Sequence, residues 1–140
     1  MTDFHKLKMA DFLHKRLSDA ILKIYYEVYN TLGYGFLEKV YQNAMCLELK
    51  NQGYHVEIQK QIKVYYKGIV VGEYYADLII DETIILELKA CECLMDAHKA
   101  QLINYLKATN IEVGLLSNFG ETPEFKRFIY TNNRKNLNDL

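Results

Sequence analysis

The sequence is poor in the features that mark several large protein classes. It has one proline, Pro123, among 140 residues, which excludes a proline-rich linker. Its longest apolar runs, around Ile79 and Ile80 and from Ile84 to Leu86, fall far short of the ~18 residues a membrane helix needs. No membrane partner is therefore expected. Residues 1–8 include Asp3, His5 and two lysines but no apolar stretch, so no secretory signal is expected. The three cysteines, Cys46, Cys91 and Cys93, are an odd set that cannot pair fully, which fits a reduced cytoplasmic setting. Cys91-x-Cys93 lacks both the spacing and the second pair of a zinc knuckle. No glycine-rich phosphate loop follows a strand and no Gly-x-Ser-x-Gly elbow occurs. Charge of one sign is also lacking: 17 Lys and Arg stand against 18 Asp and Glu, a formal net charge of -1. That balance gives no global electrostatic footprint for nucleic acid, although a local groove can be basic while other residues cancel it.

What is present reads as one folded unit. Half of the residues are hydrophobic and 25% are charged, ordinary values for a globular domain. The length favours a single domain with a real core, over residues 1–131, with an Asn-rich flexible tail at 132–140. Residues 11–32 carry an apolar stripe of Leu13, Leu17, Ala20, Ile21, Ile24, Val28 and Leu32 at helical spacing, stopped by Gly33 and Gly35. A second helix is expected over residues 36–52, with Leu37, Val40, Tyr41, Ala44 and Leu47 inward. The period then falls to two. Residues 54–67 alternate through Val56, Ile58, Ile62, Val64 and Tyr66, Lys67-Gly68 turns, and residues 69–80 form a second strand. A polar break at Asp81-Glu82-Thr83 precedes a strand at 84–90. A helix follows at 96–109, then a strand at 111–117 and an edge strand at 126–131. This order implies an α/β domain with a mixed central sheet flanked by helices.

Charged residues stand where strands should be apolar. Asp77 lies within Tyr-Tyr-Ala-Asp-Leu-Ile-Ile, and Glu87 and Lys89 lie within Ile-Ile-Leu-Glu-Leu-Lys-Ala. Asp is a poor strand former, and a buried charge must be paired or hold a metal. Alternation places Glu87 and Lys89 on one face. A three- or five-residue loop around Glu82 puts Asp77 opposite Glu87 on that face, with Lys89 diagonally in reach. A two-residue loop would break the cluster. Paired carboxylates can hold a hard divalent cation that lowers the pKa of a water and offsets charge on a phosphate. A lysine beside them can orient the water or stabilise the developing charge. The purely structural alternative is a salt-bridge network of the same three residues. Without metal, the carboxylates should disfavour each other's ionisation, raising the pKa of at least one unless Lys89 compensates.

Asp77, followed ten positions later by Glu87-Leu88-Lys89 and a helix, resembles the PD-(D/E)XK nuclease superfamily. Gln101-Leu-Ile-Asn-Tyr105 is similar to the Q-x-x-x-Y motif of its RecB-type branch, with Gln101 and Tyr105 on one helix face. Gly35-Phe-Leu-Glu38-Lys-Val-Tyr41 resembles the motif that names the GxxExxY family of small bacterial proteins. Tyr66-Lys67-Gly68, Tyr75-Ala76-Asp77, Glu87-Leu88-Lys89-Ala90, Leu106 after Tyr105, and Asn118-Phe119-Gly120 resemble further landmarks of that family. Tyr34 departs from the proline often found between its glycines. The resemblance implies a restriction-endonuclease-like core. Asp77 and Glu87 would be metal ligands, with the Leu88 carbonyl a third, for Mg2+ or Mn2+. Lys89 would be catalytic. Glu38 would reach the metal through water, and Gln101 would touch the phosphate or support the site. Tyr105 would support it or simply pack in the core. His98, three residues before Gln101, would also support the site, or serve as a satisfied histidine near a helix start.

Two readings follow. In the first the chain is a metal-dependent nuclease acting on DNA, with RNA as a second candidate, and assembles as a homodimer or larger complex to grip its substrate. In the second it is a catalytically inactive nuclease-fold module that serves as a nucleic-acid-binding or protein-interaction subunit. The intact set of Glu38, Asp77, Glu87, Lys89 and Gln101 favours the first. The small size and neutral charge favour the second.

Overall fold

The computed structural model describes residues 13–135. Their element order is α1 (Lys15–Leu32), α2 (Glu38–Asn51), β1 (Val56–Tyr66), β2 (Ile69–Ile80), β3 (Ile84–Lys89), α3 (Asp96–Lys107), β4 (Val113–Phe119) and β5 (Pro123–Ile129). The strands form one five-stranded sheet in the order β1-β2-β3-β4-β5. Hairpins make β1/β2, β2/β3 and β4/β5 antiparallel, whereas α3 carries the chain across so that β3 and β4 run parallel. The mixed sheet and its flanking helices are as the sequence implies, and β5 is an edge strand, but over Pro123–Ile129 rather than 126–131, beginning at a proline where a missing N–H costs least.

The helices α1 and α2 cover one face. Ile21, Ile24, Tyr25, Tyr41, Met45 and Leu49 pack there on Leu78, Ile80, Leu86, Val113 and Leu115. On the other face Leu102, Tyr105 and Leu106 of α3 pack on Ile79, Ile85 and Leu116. The central strands β3 and β4 are thus buried on both sides and read as near-continuous apolar runs.

The helix α2 corrects one expectation. Tyr41 is buried, but Leu37, Val40 and Leu47 are exposed, and the inward row is Tyr41, Met45 and Leu49, with Gln42 and Cys46 beside it. Two large anchors set this rotation. The Tyr41 ring stacks on Phe119 at 4.1 Å, and its hydroxyl donates to the Gly33 carbonyl at 2.7 Å while accepting the Phe36 N–H at 3.2 Å. Tyr41 therefore clamps the α1–α2 turn, where Gly35 takes a φ of 108° that favours glycine.

A second correction concerns β1. Val56 packs under α2 but Ile62, six residues on, packs under α3. Strict alternation would keep both on one face. Gln59 breaks it: its φ is 51°, left-handed within a strand, and the β1/β2 pairing passes from Ile58↔Leu78 to Lys60↔Ala76 without a Gln59–Asp77 pair. The face switch in β2 falls at the same level, since Ala76 joins the α3 side and Leu78 the α1–α2 side.

The expected tail begins with a short turn, Asn132–Arg134. There the Asn132 N–H donates to Glu112 and Lys135 Nζ donates to the Thr109 and Ile111 carbonyls. Residues 136–140, and the start of the sequence through residue 12, lie outside the described residues.

Candidate functional site

The β2–β3 connection is the three-residue loop Asp81-Glu82-Thr83, closed by Ile80↔Ile84 and by the Thr83 N–H on the Ile80 carbonyl at 2.9 Å. This odd length is the one the acidic cluster demands. The recorded pairing ends at Leu78↔Leu86, and the same register puts Asp77 across from Glu87. Here side chains replace the ladder. The Asp77 N–H donates to Glu87 Oε2 at 2.7 Å, and the Leu88 N–H donates to Asp77 Oδ2 at 2.8 Å. Each carboxylate satisfies a backbone donor of the opposite strand where the strands part.

Glu87 is only 4% exposed. Burial, and then the Asp77 charge, push its pKa up to about 8, against a weaker pull from the Asp77 N–H and from Lys89. The buried carboxyl thus takes a proton when no cation offsets its charge. Lys89 ends β3 on the same face, half-buried, and contributes the smallest of these effects. Among the described residues no ion pair joins Lys89 to either carboxylate. The tight salt-bridge network of the structural alternative is absent from this arrangement.

Two glutamines complete the environment of Asp77. Gln59 Nε2 donates to Gln42 Oε1 at 3.1 Å and lies 3.4 Å from Asp77 Oδ1. Gln42 is buried on α2, and its Nε2 has no hydrogen-bond partner. Sequence reasoning missed both residues. The available signal was the broken alternation Val56, Ile58, Ile62, which skips position 60 beside Gln59.

The other expected residues stand at varying remove. Glu38 is the first residue of α2, exposed, with no hydrogen bond or ion pair to another described residue. Its charge reaches the Cys91 thiol, whose pKa burial and the Cys93 and Glu38 charges raise, against Lys89. Glu38 is thus not in hydrogen-bond contact with Asp77 or Glu87. Tyr105 is buried, and burial followed by the Glu87 and Asp77 charges pushes its pKa up to about 12. Its hydroxyl senses the carboxylates while its ring packs in the α3 core. Gln101, one turn earlier, lines a groove with Tyr105. His98 Nδ1 accepts the Met95 N–H at 3.0 Å and so serves the start of α3.

A different group of ligand-type atoms lies at the turn end of β2 and β3. His55, Glu57 and Glu82 bring one atom each within 4.8 Å of one another. This group excludes Asp77 and Glu87, and Glu57 is already paired with Lys60 at 2.9 Å.

Beyond β3, Asn118 braces the chain exit. Its side chain accepts the Cys91 N–H at 3.0 Å and donates to the Cys91 carbonyl at 2.9 Å, and the Tyr25 hydroxyl donates to the Asn118 carbonyl. Gly120 must be small, since a Cβ there would lie 2.5 Å from the Cys91 carbonyl oxygen.

A mixed sheet between two helical layers, with paired carboxylates at a fork between central strands, defines an α/β domain of the nuclease type. The chain belongs to the PD-(D/E)XK nuclease superfamily, whose family model matches residues 15–128. A solved structure described as "Crystal structure of SSO0001" is similar with a TM-score of 0.52 and 20% sequence identity, over 66% of this chain and 50% of that one. This chain spans about half the length of that protein, and the likeness concerns the fold. Among the curated proteins none matches this sequence. No helix among the described residues is long and apolar enough to cross a membrane.

Proposed function

We propose that this protein is a divalent-metal-dependent nuclease that hydrolyses phosphodiester bonds in DNA, with Asp77 and Glu87 as its metal ligands. The observation that carries this reading is Glu87, almost fully buried beside Asp77 with its pKa raised to about 8. Two such groups side by side disfavour each other unless a cation joins them. The donor set fits a hard cation such as Mg2+ or Mn2+, because the side chains of Asp77 and Glu87 offer only oxygen atoms. The Leu88 carbonyl is the third proposed ligand. When bound, the cation would lower the pKa of a water and offset charge developing on the phosphate.

The chain's own residues divide the remaining work. Lys89, with no ion pair to another described residue, directs its ammonium at the water or the phosphate charge. Gln59 holds Asp77 Oδ1 from the β1 side. Glu38 reaches the site through water, and Gln101, Tyr105 and His98 support it from α3. Gly35, Glu38 and Tyr41 support placement within the GxxExxY family. Of these three, Gly35 and Tyr41 have structural tasks in the α1–α2 turn, which leaves Glu38 for chemistry. A homodimer or larger complex would widen the grip on substrate. The three unpaired thiols suit the cytoplasm.

One observation favours the inactive module instead. Asp77 and Glu87 each satisfy a backbone donor, a task that needs no metal. Cleavage assays decide between the readings. With Mg2+ or Mn2+, wild type should cut single-stranded, duplex or branched DNA, and Lys89→Ala should lower the rate by ~10²–10³ while leaving metal binding nearly intact. Equal trace activity of wild type and Lys89→Ala on every substrate, with RNA included, would overturn the nuclease reading.

A further inference from the structure

Beyond the Leu78↔Leu86 pair, the β1–β2 hairpin continues without β3 beside it. Between this free hairpin and α3 lies an open groove of about 660 Å³, a size common among small-molecule sites, ~300–1,000 Å³. It follows α3 from Ala97 past Gln101 to Lys107 and Ala108, and it includes Tyr105, whose hydroxyl senses the Glu87 and Asp77 charges.

The lining is specific in chemistry. Ala97 and Ala100 on α3, Ala108 just past its end and Gly72 on β2 keep the walls low and flat. Tyr74 stands on the hairpin wall, 47% exposed, its ring 5.7 Å from that of Tyr105 and tilted by 49°. Gln101 and Asn104 line the groove, and their amide side chains make no hydrogen bond with another described residue. Among the described residues that line it, Lys107 is the one charged residue, and its ammonium lies over the Tyr130 ring, 5.5 Å from the centroid.

We infer that this groove receives an unpaired nucleobase of the strand whose phosphodiester lies at Asp77 and Glu87, which makes single-stranded or end-frayed DNA the preferred substrate. The inference rests on the nuclease reading of the carboxylate pair. A nucleobase is a planar ring with apolar faces, a hydrogen-bonding edge and an anionic tether. The flat alanine wall and the Tyr74 ring match the faces. The free amides of Gln101 and Asn104 each offer one donor group and one acceptor to the edge. Lys107, exposed at the end of α3 beside Tyr130, supplies the cation for the phosphate tether. Tyr105, which lines the groove and senses the Glu87 and Asp77 charges, connects the base to the reacting bond. In an intact duplex each base edge is already paired and both faces are stacked, so none could enter without unpairing, which costs a few kcal/mol.

The test is fluorescence anisotropy with labelled DNA in EDTA, where no cation is present to support cleavage. The probes are a single strand, a blunt duplex of the same sequence, and an abasic strand of equal length. Wild type should bind the single strand at least tenfold more tightly than the other two. Tyr74→Ala should weaken that binding by roughly 5- to 100-fold, as expected for one lost stacking partner, and Tyr74→Phe should restore it. Ala100→Leu, which fills the groove while keeping Tyr74, should weaken it as well. Circular dichroism should show each variant folded. Equal affinity for the three probes, no binding to any, or a folded Tyr74→Ala variant with unchanged affinity would overturn the inference. Base-dependent binding without cleavage in Mg2+ or Mn2+ would retire the nuclease reading and leave the groove standing. Cleavage without base-dependent binding would do the reverse.

Discussion

Glu87 shows how far a strand residue can be taken from its solution behaviour. Its carboxyl, ordinarily near 4.5, titrates at about 8 because burial and Asp77 both disfavour the anion. Between those values the folded protein keeps a proton that the unfolded chain has released. Rising pH therefore favours unfolding across that window. Metal-free wild type should lose thermal stability from about pH 5 to pH 8, and Glu87→Gln should flatten this slope. Melting curves at several pH values check this, and parallel slopes for the two proteins would contradict it. The competition between the two carboxylates was legible in the sequence, because Asp77 and Glu87 stand at hairpin distance. Which of them would take the proton was not, since that depends on burial. Gln59 was illegible for another reason. A left-handed backbone at a non-glycine residue is set by the switch of faces around it rather than by its own propensity.

At the scale of elements, the hairpin is where sequence and structure agree most closely. The polar break Asp81-Glu82-Thr83 separates two apolar strands, and its three residues set the register that brings Asp77 to Glu87. The strands β3 and β4 were readable because burial on both faces demands unbroken apolar runs. The inward face of α2 was not. Leu37, Val40 and Leu47 are as apolar as Met45 and Leu49, and only Tyr41 stacking on Phe119 decides the rotation. Asn118-Phe119-Gly120 now has a physical basis: Asn118 holds both polar groups of the Cys91 backbone, Phe119 receives Tyr41, and Gly120 leaves room for the Cys91 carbonyl. Gly120→Ala should therefore cost about 1–3 kcal/mol by crowding that carbonyl. Urea unfolding measures the loss, and an unchanged midpoint would show that the β3 exit tolerates the methyl group.

On the scale of the whole molecule, the near-zero net charge and the superfamily fold are compatible because the proposed chemistry is local. The paired carboxylates sit at the fork between β2 and β3, and the groove beside α3 ends at Lys107, whose ammonium lies over Tyr130. Sequence motifs identified the superfamily because Asp77, Glu87, Lys89 and Gln101 keep their order and spacing. The groove was hidden, since its walls come from β1, β2 and α3 and meet only in the folded chain. The central claim is that Asp77 and Glu87 together hold a divalent cation. Calorimetric titration of the purified protein with Mn2+ tests it most directly, with Asp77→Asn, Glu87→Gln and a Glu57→Gln/Glu82→Gln double variant beside wild type. Wild type and the Glu57/Glu82 double variant should bind, and both Asp77→Asn and Glu87→Gln should lose binding. Binding that survives Asp77→Asn and Glu87→Gln but disappears with Glu57 and Glu82, or no binding by wild type, would contradict it.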